Sequence, residues 1–254
     1  MCEKLDRLVP EQSVRLWLLC ASTCEQAHVA EGSTELGATC EGFVDGGLAC
    51  LEDKVRGSEE QFRGLQLLVG TLRSLTCLRP APFERVAQRG VSLAWQLPTA
   101  RLQSKAMSLC SGLFWGPSCT SPGCTLGCLR AALRFADDAV HVDPMDVGLF
   151  VEILDEAVCH FSHGNEDITG SFLSTLVALC VEHLYYLKER APEEAMRALH
   201  AVLTDLYEKQ GKATEEAFFD SDSRCAKLGL QVPGDLSIRT AVQATGGVGV
   251  VGVA

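Results

Sequence analysis

Cysteine and histidine are the residues of this chain with the widest possible chemistry, and the sequence contains 13 of the first and 6 of the second among 254 residues. One set could supply the thiolates and imidazole of a tetrahedral zinc site: Cys119, Cys124, Cys128 and His141. Their spacing, CxxxxC followed by CxxxC, matches no common zinc-binding pattern. Cys128 also continues into an apolar helix face, where free cysteine acts as a small apolar residue. We therefore expect no metal site, and a core-packing role for most of the cysteines.

A Cys–His pair is a second possible chemistry, because a neighbouring imidazole can activate a thiol for nucleophilic attack. The sequence offers many such pairs, but no Gly-rich turn exposes one of these cysteines, and no local pattern would lower one thiol pKa. His160 and His163 close a predicted helix, where histidine commonly stabilises the negative helix end. We expect no enzyme activity, and a cysteine- or zinc-dependent enzyme is kept as an alternative.

The sequence gives little support for a catalytic acid pair, a phosphate-binding loop or a nucleic-acid-binding surface. Adjacent acids such as Asp137–Asp138 project about 100° apart on a helix and do not share a proton. Residues 42–47 (GFVDGG) follow no predicted strand and lack a Lys-Ser/Thr pair, so the phosphate-binding patterns fail. A net charge of −11 and a pI near 5.0 argue against a protein that neutralises nucleic-acid phosphates. No cofactor is predicted, and a protein-binding scaffold is the remaining class.

The elements that carry these residues are predicted to be helices. Apolar residues recur at helical offsets of 0, 3, 4, 7, 11 and 14 in 173–187 and in 147–161, and clean strand alternation is absent. Nine helices are predicted, beginning near residues 11, 33, 58, 82, 99, 125, 144, 166 and 192. The predicted start signals are a Ser58/Gln61 capping box, Asp143 before Pro144, Pro82 and Pro192, and the predicted stops are Gly164 and Gly211.

The spacing of these helices predicts the architecture. Successive helix pairs begin about 41–48 residues apart, close to the length of a HEAT unit. The predicted fold class is all-α, an α-solenoid of HEAT-like helix pairs over residues 1–220, with residues 116–123 as a loop. Residues 221–254 are predicted to form a mostly disordered tail, because they end in GGVGVVGVA.

Two segments bear on the cellular location. Residues 168–187 are nearly long enough to span a bilayer, but Glu182 and His183 interrupt them, so a buried helix is predicted. The first ten residues have no apolar core and do not resemble a secretory signal peptide, which predicts a cytosolic protein with reduced thiols. No polar capping helix precedes residues 14–20, so we expect the chain to be the C-terminal part of a longer solenoid.

Five segments occur in the order seen in one known family. They are Val14–Leu16 with Cys20–Ala21, Leu68–Leu72, Cys110–Trp115, Cys128–Leu133 and Leu149–Leu154. From about residue 12 to about residue 220, the sequence resembles the C-terminal region of the vacuolar protein sorting-associated protein 35 family, the large scaffold subunit of retromer. The most specific segments are Leu-Phe-Trp at 113–115 and Leu-Phe-x-Glu-Ile-Leu at 149–154.

The resemblance implies a right-handed α-solenoid that works as a non-enzymatic scaffold in endosome-to-Golgi retrograde transport and endosomal cargo recycling. It implies that the concave groove holds the metallophosphoesterase-like retromer subunit, vacuolar protein sorting-associated protein 29. The Pro-Arg-Leu-Tyr-Pro element through which the family grips its arrestin-like subunit does not occur in this sequence. A cytoplasmic protein, peripheral on the endosome membrane through its complex, is the implied location.

Because the partners of solenoid proteins usually sit in the concave face, we predict an interface on the second helix of each pair and on the turn at 112–126. The predicted partner-binding residues are Gly112, Leu113, Phe114, Trp115, Phe150, Glu152 and Ile153. Packing into the helix core is the alternative role for the large apolar members of this set. The family often has a histidine where this chain has Gly112, and the loop at 116–124 also departs from the family, so partner affinity is expected to differ there. A HEAT-type adaptor for another protein is the alternative function.

Overall fold

The computed structural model describes residues 9–31, 36–116, 119–121, 123–187 and 190–216. Within these residues the chain forms nine α-helices, which confirms the predicted all-α class and helix number. They are α1 (Pro10–Glu31), α2 (Leu36–Asp53), α3 (Ser58–Ser74), α4 (Pro80–Gln96), α5 (Ala100–Ser111), α6 (Cys124–Val142), α7 (Gly148–Ser162), α8 (Gly170–Leu187) and α9 (Glu193–Glu216). A 3-10 turn, Pro144–Val147, precedes α7, and two short strands, β1 (Trp115–Gly116) and β2 (Cys119–Thr120), pair between α5 and α6.

Side-chain caps mark several helix starts, because a side-chain oxygen can accept a hydrogen bond from an otherwise unsatisfied N–H of the first turn. The Thr99 hydroxyl accepts from the backbone N–H of Leu102 at 3.3 Å, and the Thr169 hydroxyl accepts from the N–H three residues later at 3.2 Å. The Asp143 carboxylate accepts from the second N–H after it at 2.9 Å, with Pro144 in the first helical position. The predicted Asp143 cap is therefore confirmed, although it opens the 3-10 turn rather than α7.

The predicted capping box at the start of α3 is wrong. The cap position is Gly57, which has no side chain, and Ser58 is already the first helical residue. The Gln61 side chain instead donates a hydrogen bond to the carbonyl of Val55, 2.9 Å away. The start of the helix was predicted correctly, but the chain closes this end through the preceding loop.

Of the helix boundaries predicted from glycine and proline, one is confirmed and two differ in the structure. Gly164 follows α7 with a φ of +84°, a backbone conformation that favours glycine, so the predicted stop is confirmed. The predicted stop at Gly211 is wrong, because α9 continues through it to Glu216. Helix α4 begins at Pro80 rather than near Pro82, since the earlier proline takes the first helical position.

The chain divides into two compact units, Met1–His141 and Val142–Ala254. In the first unit, helices α1 to α4 each contact the next helix, and α1, α2 and α3 also contact the next but one. This repeated contact pattern is the stacking of helix pairs typical of an α-solenoid. In the second unit, α7 contacts both α8 and α9. A single domain over 1–220 stays a prediction, and the predicted tail, 221–254, lies outside the described residues.

A buried acid ties the first helix to the connection between α3 and α4. The Glu25 carboxylate accepts hydrogen bonds from the backbone N–H groups of Thr76 and Cys77, each at 2.9 Å, and from the Thr76 hydroxyl at 2.5 Å. Only 8% of Glu25 is exposed. The three bonds satisfy a charge that would be costly to bury alone.

Arginines of α4 join the exposed side of α2 through ion pairs. Arg85 lies 2.8 Å from a carboxylate oxygen of Glu41 and 2.8 Å from one of Asp45. Arg89 contacts Asp45 at 3.2 Å and Glu52 at 2.5 Å. Because these side chains are partly exposed, solvent screens the pairs, and they align the two helices more than they stabilise them.

The apolar run near residue 170 is a packed helix, as predicted. Helix α8 contacts α7, and its buried side chains are Leu173, Leu176, Cys180 and Leu184. The His183 ring stacks on the Phe150 ring of α7 with centroids 4.4 Å apart and planes 15° apart, while Glu182 is exposed. Within the described residues, none of the helices has the length and apolarity needed to cross a membrane.

Candidate protein-binding site

The turn between α5 and α6 is held by backbone hydrogen bonds on both sides. The N–H of Leu113 donates to the Cys110 carbonyl at 3.0 Å, and the N–H of Ser121 donates to the Phe114 carbonyl at 3.1 Å. Strand β1 pairs with β2 in antiparallel register, with Trp115 opposite Thr120. The predicted loop at 116–123 therefore contains a short ladder that the sequence pattern did not predict.

Burial separates the predicted binding residues of this turn into two groups. Leu113 and Phe114 are 1% and 5% exposed, so both pack into the core beneath the turn. Trp115 is half-buried and presents part of its ring to solvent. The first two side chains can anchor the turn, and only Trp115 of the three offers a large apolar surface to a partner.

Gly112 lies where an arginine from another helix reaches the turn. A Cβ built on Gly112 would stand 3.2 Å from Nη1 and 3.3 Å from Cζ of Arg73, at the end of α3. The missing side chain therefore makes room for a guanidinium. No periodic or motif signal in the sequence links Arg73 to Gly112, so this contact could not be predicted from the sequence.

The other predicted binding residues lie on α7, in the second unit. Phe150 and Ile153 are each 1% exposed, and Phe150 also stacks on His183. Glu152 is exposed. The structure therefore gives two surfaces, one in each unit, and on α7 it leaves Glu152 as the member of the predicted set that a partner can reach.

The proposed four-ligand zinc set is not brought together. Cys124 and Cys128 lie in the first turns of α6, and His141 lies at its other end. His141 follows Cys128 by 13 positions on the same helix, which places their Cα atoms about 20 Å apart. Among the described residues no group of three or more His, Cys, Asp or Glu side chains could hold a metal ion, and the Cys119 side chain is outside that part of the chain.

One Cys–His pair does occur, at the end of α7. The Cys159 sulfur lies 3.7 Å from Nδ1 of His163. The same Nδ1 lies 2.7 Å from the Cys159 carbonyl oxygen, so it donates its proton to the backbone. A ring nitrogen that already donates cannot accept the thiol proton, and this pair is not arranged as a nucleophile with its base.

Burial raises the pKa of several thiols and so lowers their reactivity. The pKa of Cys128 rises to about 12 through burial and, second, the charge of Cys124, and burial raises that of Cys180 to about 12. Desolvation also raises the thiol pKa values of Cys24, Cys40, Cys77 and Cys110. Since the thiolate is the nucleophile and the metal ligand, a raised pKa disfavours both roles, and the buried thiols of Cys40, Cys110, Cys128 and Cys180 act as core side chains.

A second exposed aromatic group occurs away from the predicted set. Trp95, near the end of α4, is 44% exposed, and its ring meets the edge of the Phe135 ring of α6 with centroids 4.8 Å apart. Exposed tryptophans are enriched at protein interfaces, because they combine a large apolar body with a polar N–H. From the sequence, only the position of Trp95 near the end of α4 could have suggested that its ring is exposed.

Comparison with known proteins identifies related sequences. A family model described as vacuolar protein sorting-associated protein 35 matches residues 1–183. The chain is 29% identical over 179 residues to vacuolar protein sorting-associated protein 35B of Arabidopsis thaliana. That alignment covers 67% of this chain and 22% of the Arabidopsis protein. The chain is 27% identical over 178 residues to vacuolar protein sorting-associated protein 35 of Dictyostelium discoideum, with 68% and 22% covered. The chain thus spans about a fifth of the length of these relatives, and the matched region contains both candidate surfaces.

Proposed function

The chain belongs to the vacuolar protein sorting-associated protein 35 family, and from this premise we propose that it is a non-enzymatic scaffold subunit of retromer. The proposed role is endosome-to-Golgi retrograde transport and endosomal cargo recycling, with the protein peripheral on the endosome membrane through its complex. The observation that carries the proposal is the family match over residues 1–183, which extends from before α1 into α8.

The proposed partner is the metallophosphoesterase-like retromer subunit, vacuolar protein sorting-associated protein 29. The turn at 112–116 supports this role because its backbone is held in place and Leu113 and Phe114 anchor it in the core. A rigid turn loses little conformational entropy on binding. Trp115, half-exposed on that turn, is of the residue type that most often dominates binding energy. The arrestin-like subunit is not proposed as a partner of these residues, since Pro-Arg-Leu-Tyr-Pro is absent from the sequence.

Titration calorimetry with recombinant vacuolar protein sorting-associated protein 29 tests the proposal. A one-to-one complex is expected, and Trp115→Ala is expected to weaken it about tenfold or more while the helices stay folded. Leu113→Ala is the matched contrast, because removing a buried leucine costs about 2–5 kcal/mol of folding free energy. The proposal fails if a chain with a helical circular dichroism spectrum gives no binding heat.

A HEAT-type adaptor for a different protein is the second candidate function. Gly112, where the family often has a histidine, favours it, because this buried position begins the turn that carries the half-buried Trp115. Exposed Trp95, packed against half-buried Phe135, offers another surface of the kind that partners use. A chain that gives no heat with vacuolar protein sorting-associated protein 29, yet captures one other protein at a one-to-one ratio, would favour this candidate.

A cysteine- or zinc-dependent enzyme is the least supported alternative. The raised thiol pKa values and the donor role of Nδ1 in His163 both oppose it. We expect Cys128 and Cys180 to react with a thiol reagent at pH 7.5 about a hundredfold or more slowly than exposed Cys124. Mass spectrometry of the labelled peptides measures this order. One hyper-reactive thiol, or stoichiometric zinc by elemental analysis, would instead favour the enzyme.

A further inference from the structure

Arg73, near the end of α3, packs its guanidinium against Gly112, which follows the last residue of α5. The Arg73 guanidinium covers Gly112 so closely that an added Cβ would meet three of its atoms at 3.2, 3.3 and 3.5 Å. Carbon contacts are most favourable at about 3.5–4.0 Å, so a side chain at position 112 would push the guanidinium away. The missing side chain at Gly112 leaves room for the cation at the start of the turn that leads to Trp115.

The guanidinium at this position is available to a partner. Arg73 is exposed, and within the part of the chain that the structure describes it takes part in no hydrogen bond or ion pair. Two other arginines, Arg85 and Arg89 of α4, both form ion pairs with carboxylates of α2. Residues 112–116, GLFWG, carry no charge, so Arg73 brings positive charge to a turn that has none of its own.

We propose that Arg73 is a carboxylate-binding contact, and that the protein docking on the 112–116 turn places an Asp or Glu side chain against it. This assignment rests on the proposed function and adds the chemistry of one contact to it. A guanidinium presents two parallel N–H donors that match the two oxygens of a carboxylate. Arginine and tryptophan are the residue types most enriched among those that dominate binding, and here they stand at the two ends of one short turn. Gly112 is the positioning residue for Arg73.

The test is titration calorimetry of the full chain with vacuolar protein sorting-associated protein 29 at about 50 and 300 mM NaCl. Arg73→Ala is expected to weaken binding about tenfold, which corresponds to a loss of about 1.4 kcal/mol of binding free energy. Arg73→Glu is expected to weaken it about a hundredfold, because the new carboxylate would repel the carboxylate of the partner. Arg73→Lys keeps the charge without the two-pronged geometry, and its affinity is expected to fall between those of the wild type and Arg73→Ala. The added salt is expected to weaken the wild type more than Arg73→Ala.

Two matched controls separate this role from general effects of charge and turn geometry. Arg63 is an exposed arginine of the same helix, and Arg63→Ala is expected to bind within twofold of the wild type. Gly112→Ala is expected to weaken binding by displacing the guanidinium, whereas Gly42→Ala on α2, outside the turn and with nothing within 4 Å of its Cβ position, is expected to leave binding unchanged.

The outcomes distinguish this assignment from the proposed function. If the wild type binds and both Arg73→Ala and Arg73→Glu bind equally well, the Arg73 assignment is wrong and the proposed function stands. The assignment is also wrong if Arg63→Ala weakens binding as much as Arg73→Ala, since the effect is then one of overall charge. If the folded wild type does not bind at all, the proposed function is contradicted, and the assignment with it.

Discussion

Glu25 shows what one buried side chain does in this fold. Burial of its carboxylate raises the pKa, but the hydrogen bonds from Thr76 and Cys77 outweigh burial and hold the net pKa below the ordinary glutamate value. Those bonds are made only in the folded state, so the ionised form of Glu25 stabilises the fold. The residue thus keeps the α3–α4 connection against α1.

We predict that Glu25→Gln lowers the free energy of unfolding by about 2 kcal/mol at pH 7. The glutamine NH₂ group would face hydrogen-bond donors of Thr76 and Cys77, and the charged carboxylate that accepts from them would be lost. The folded pKa lies below the unfolded value of about 4.3, so the Glu25 contribution is complete above about pH 5 and is lost as pH falls through the folded pKa. Urea titrations at several pH values measure both effects.

The exposed Glu11 on the same helix provides the control for this prediction. Glu11→Gln is expected to change the free energy of unfolding by less than about 0.5 kcal/mol at every pH. A difference between wild type and Glu25→Gln that stays constant down to pH 3 would contradict the role given to the ionised carboxylate.

At the scale of elements, close approach between helices depends on small residues. Gly64 of α3 lies so near Leu51 of α2 that a Cβ there would collide with the leucine side chain. Gly70, six residues later on the same helix, has nothing within 4 Å of its Cβ position. The two glycines have the same helix propensity and differ in their surroundings.

We predict opposite effects when each glycine becomes alanine. Gly64→Ala is expected to destabilise the protein by about 1–3 kcal/mol through overpacking between α2 and α3. Gly70→Ala is expected to stabilise it by about 0.5–1 kcal/mol, since alanine loses less backbone entropy in a helix. Thermal unfolding followed by circular dichroism at 222 nm compares the two variants, and a stabilised Gly64→Ala would show that the α2–α3 contact is looser than described.

The starts of the helices and their buried faces were largely predictable from the sequence. The hydrogen bonds that close the helix ends were not. The Asp143 cap and the Gly164 stop rest on local rules and were confirmed. The Ser58/Gln61 capping box also follows a local rule, yet Gln61 bonds to the Val55 carbonyl instead. The Gly211 stop was overridden because α9 continues past it. Local rules state what a segment can do, and competing partners decide which bond forms.

At the scale of the whole molecule, charge is distributed unevenly between the two units. Residues 1–141 contain 15 acidic and 14 basic residues, whereas residues 142–254 contain 18 acidic and 8 basic residues, counting Asp, Glu, Lys and Arg. Almost all of the net charge of −11 therefore belongs to the second unit. Like charges in one compact unit repel each other and reduce its stability.

We predict that added salt stabilises the second unit more than the first, because screening weakens repulsion between like charges. Hydrogen exchange of the full chain measures both units in one sample. On raising NaCl from about 20 to 200 mM, exchange in α7 is expected to slow more than exchange in α2 and α3. Equal slowing in both units would contradict an electrostatic origin.

The sequence by itself determined the all-α class, the number of helices, their approximate starts and the apolar faces that they bury. These features depend on the spacing of residues within one segment, where the helical period of 3.6 residues is decisive. It also determined the family resemblance, which the match over residues 1–183 bears out.

Only the tertiary structure decided which residues of the predicted site are exposed and which residues pack beside them. Leu113 and Phe114 turned into the core while Trp115 stayed partly exposed, Arg73 came to rest on Gly112, and Glu25 bonded to an N–H 51 residues later. The physical reason is that such contacts join segments far apart in the chain. Their formation depends on how closely whole helices pack, which residue spacing within one helix does not encode.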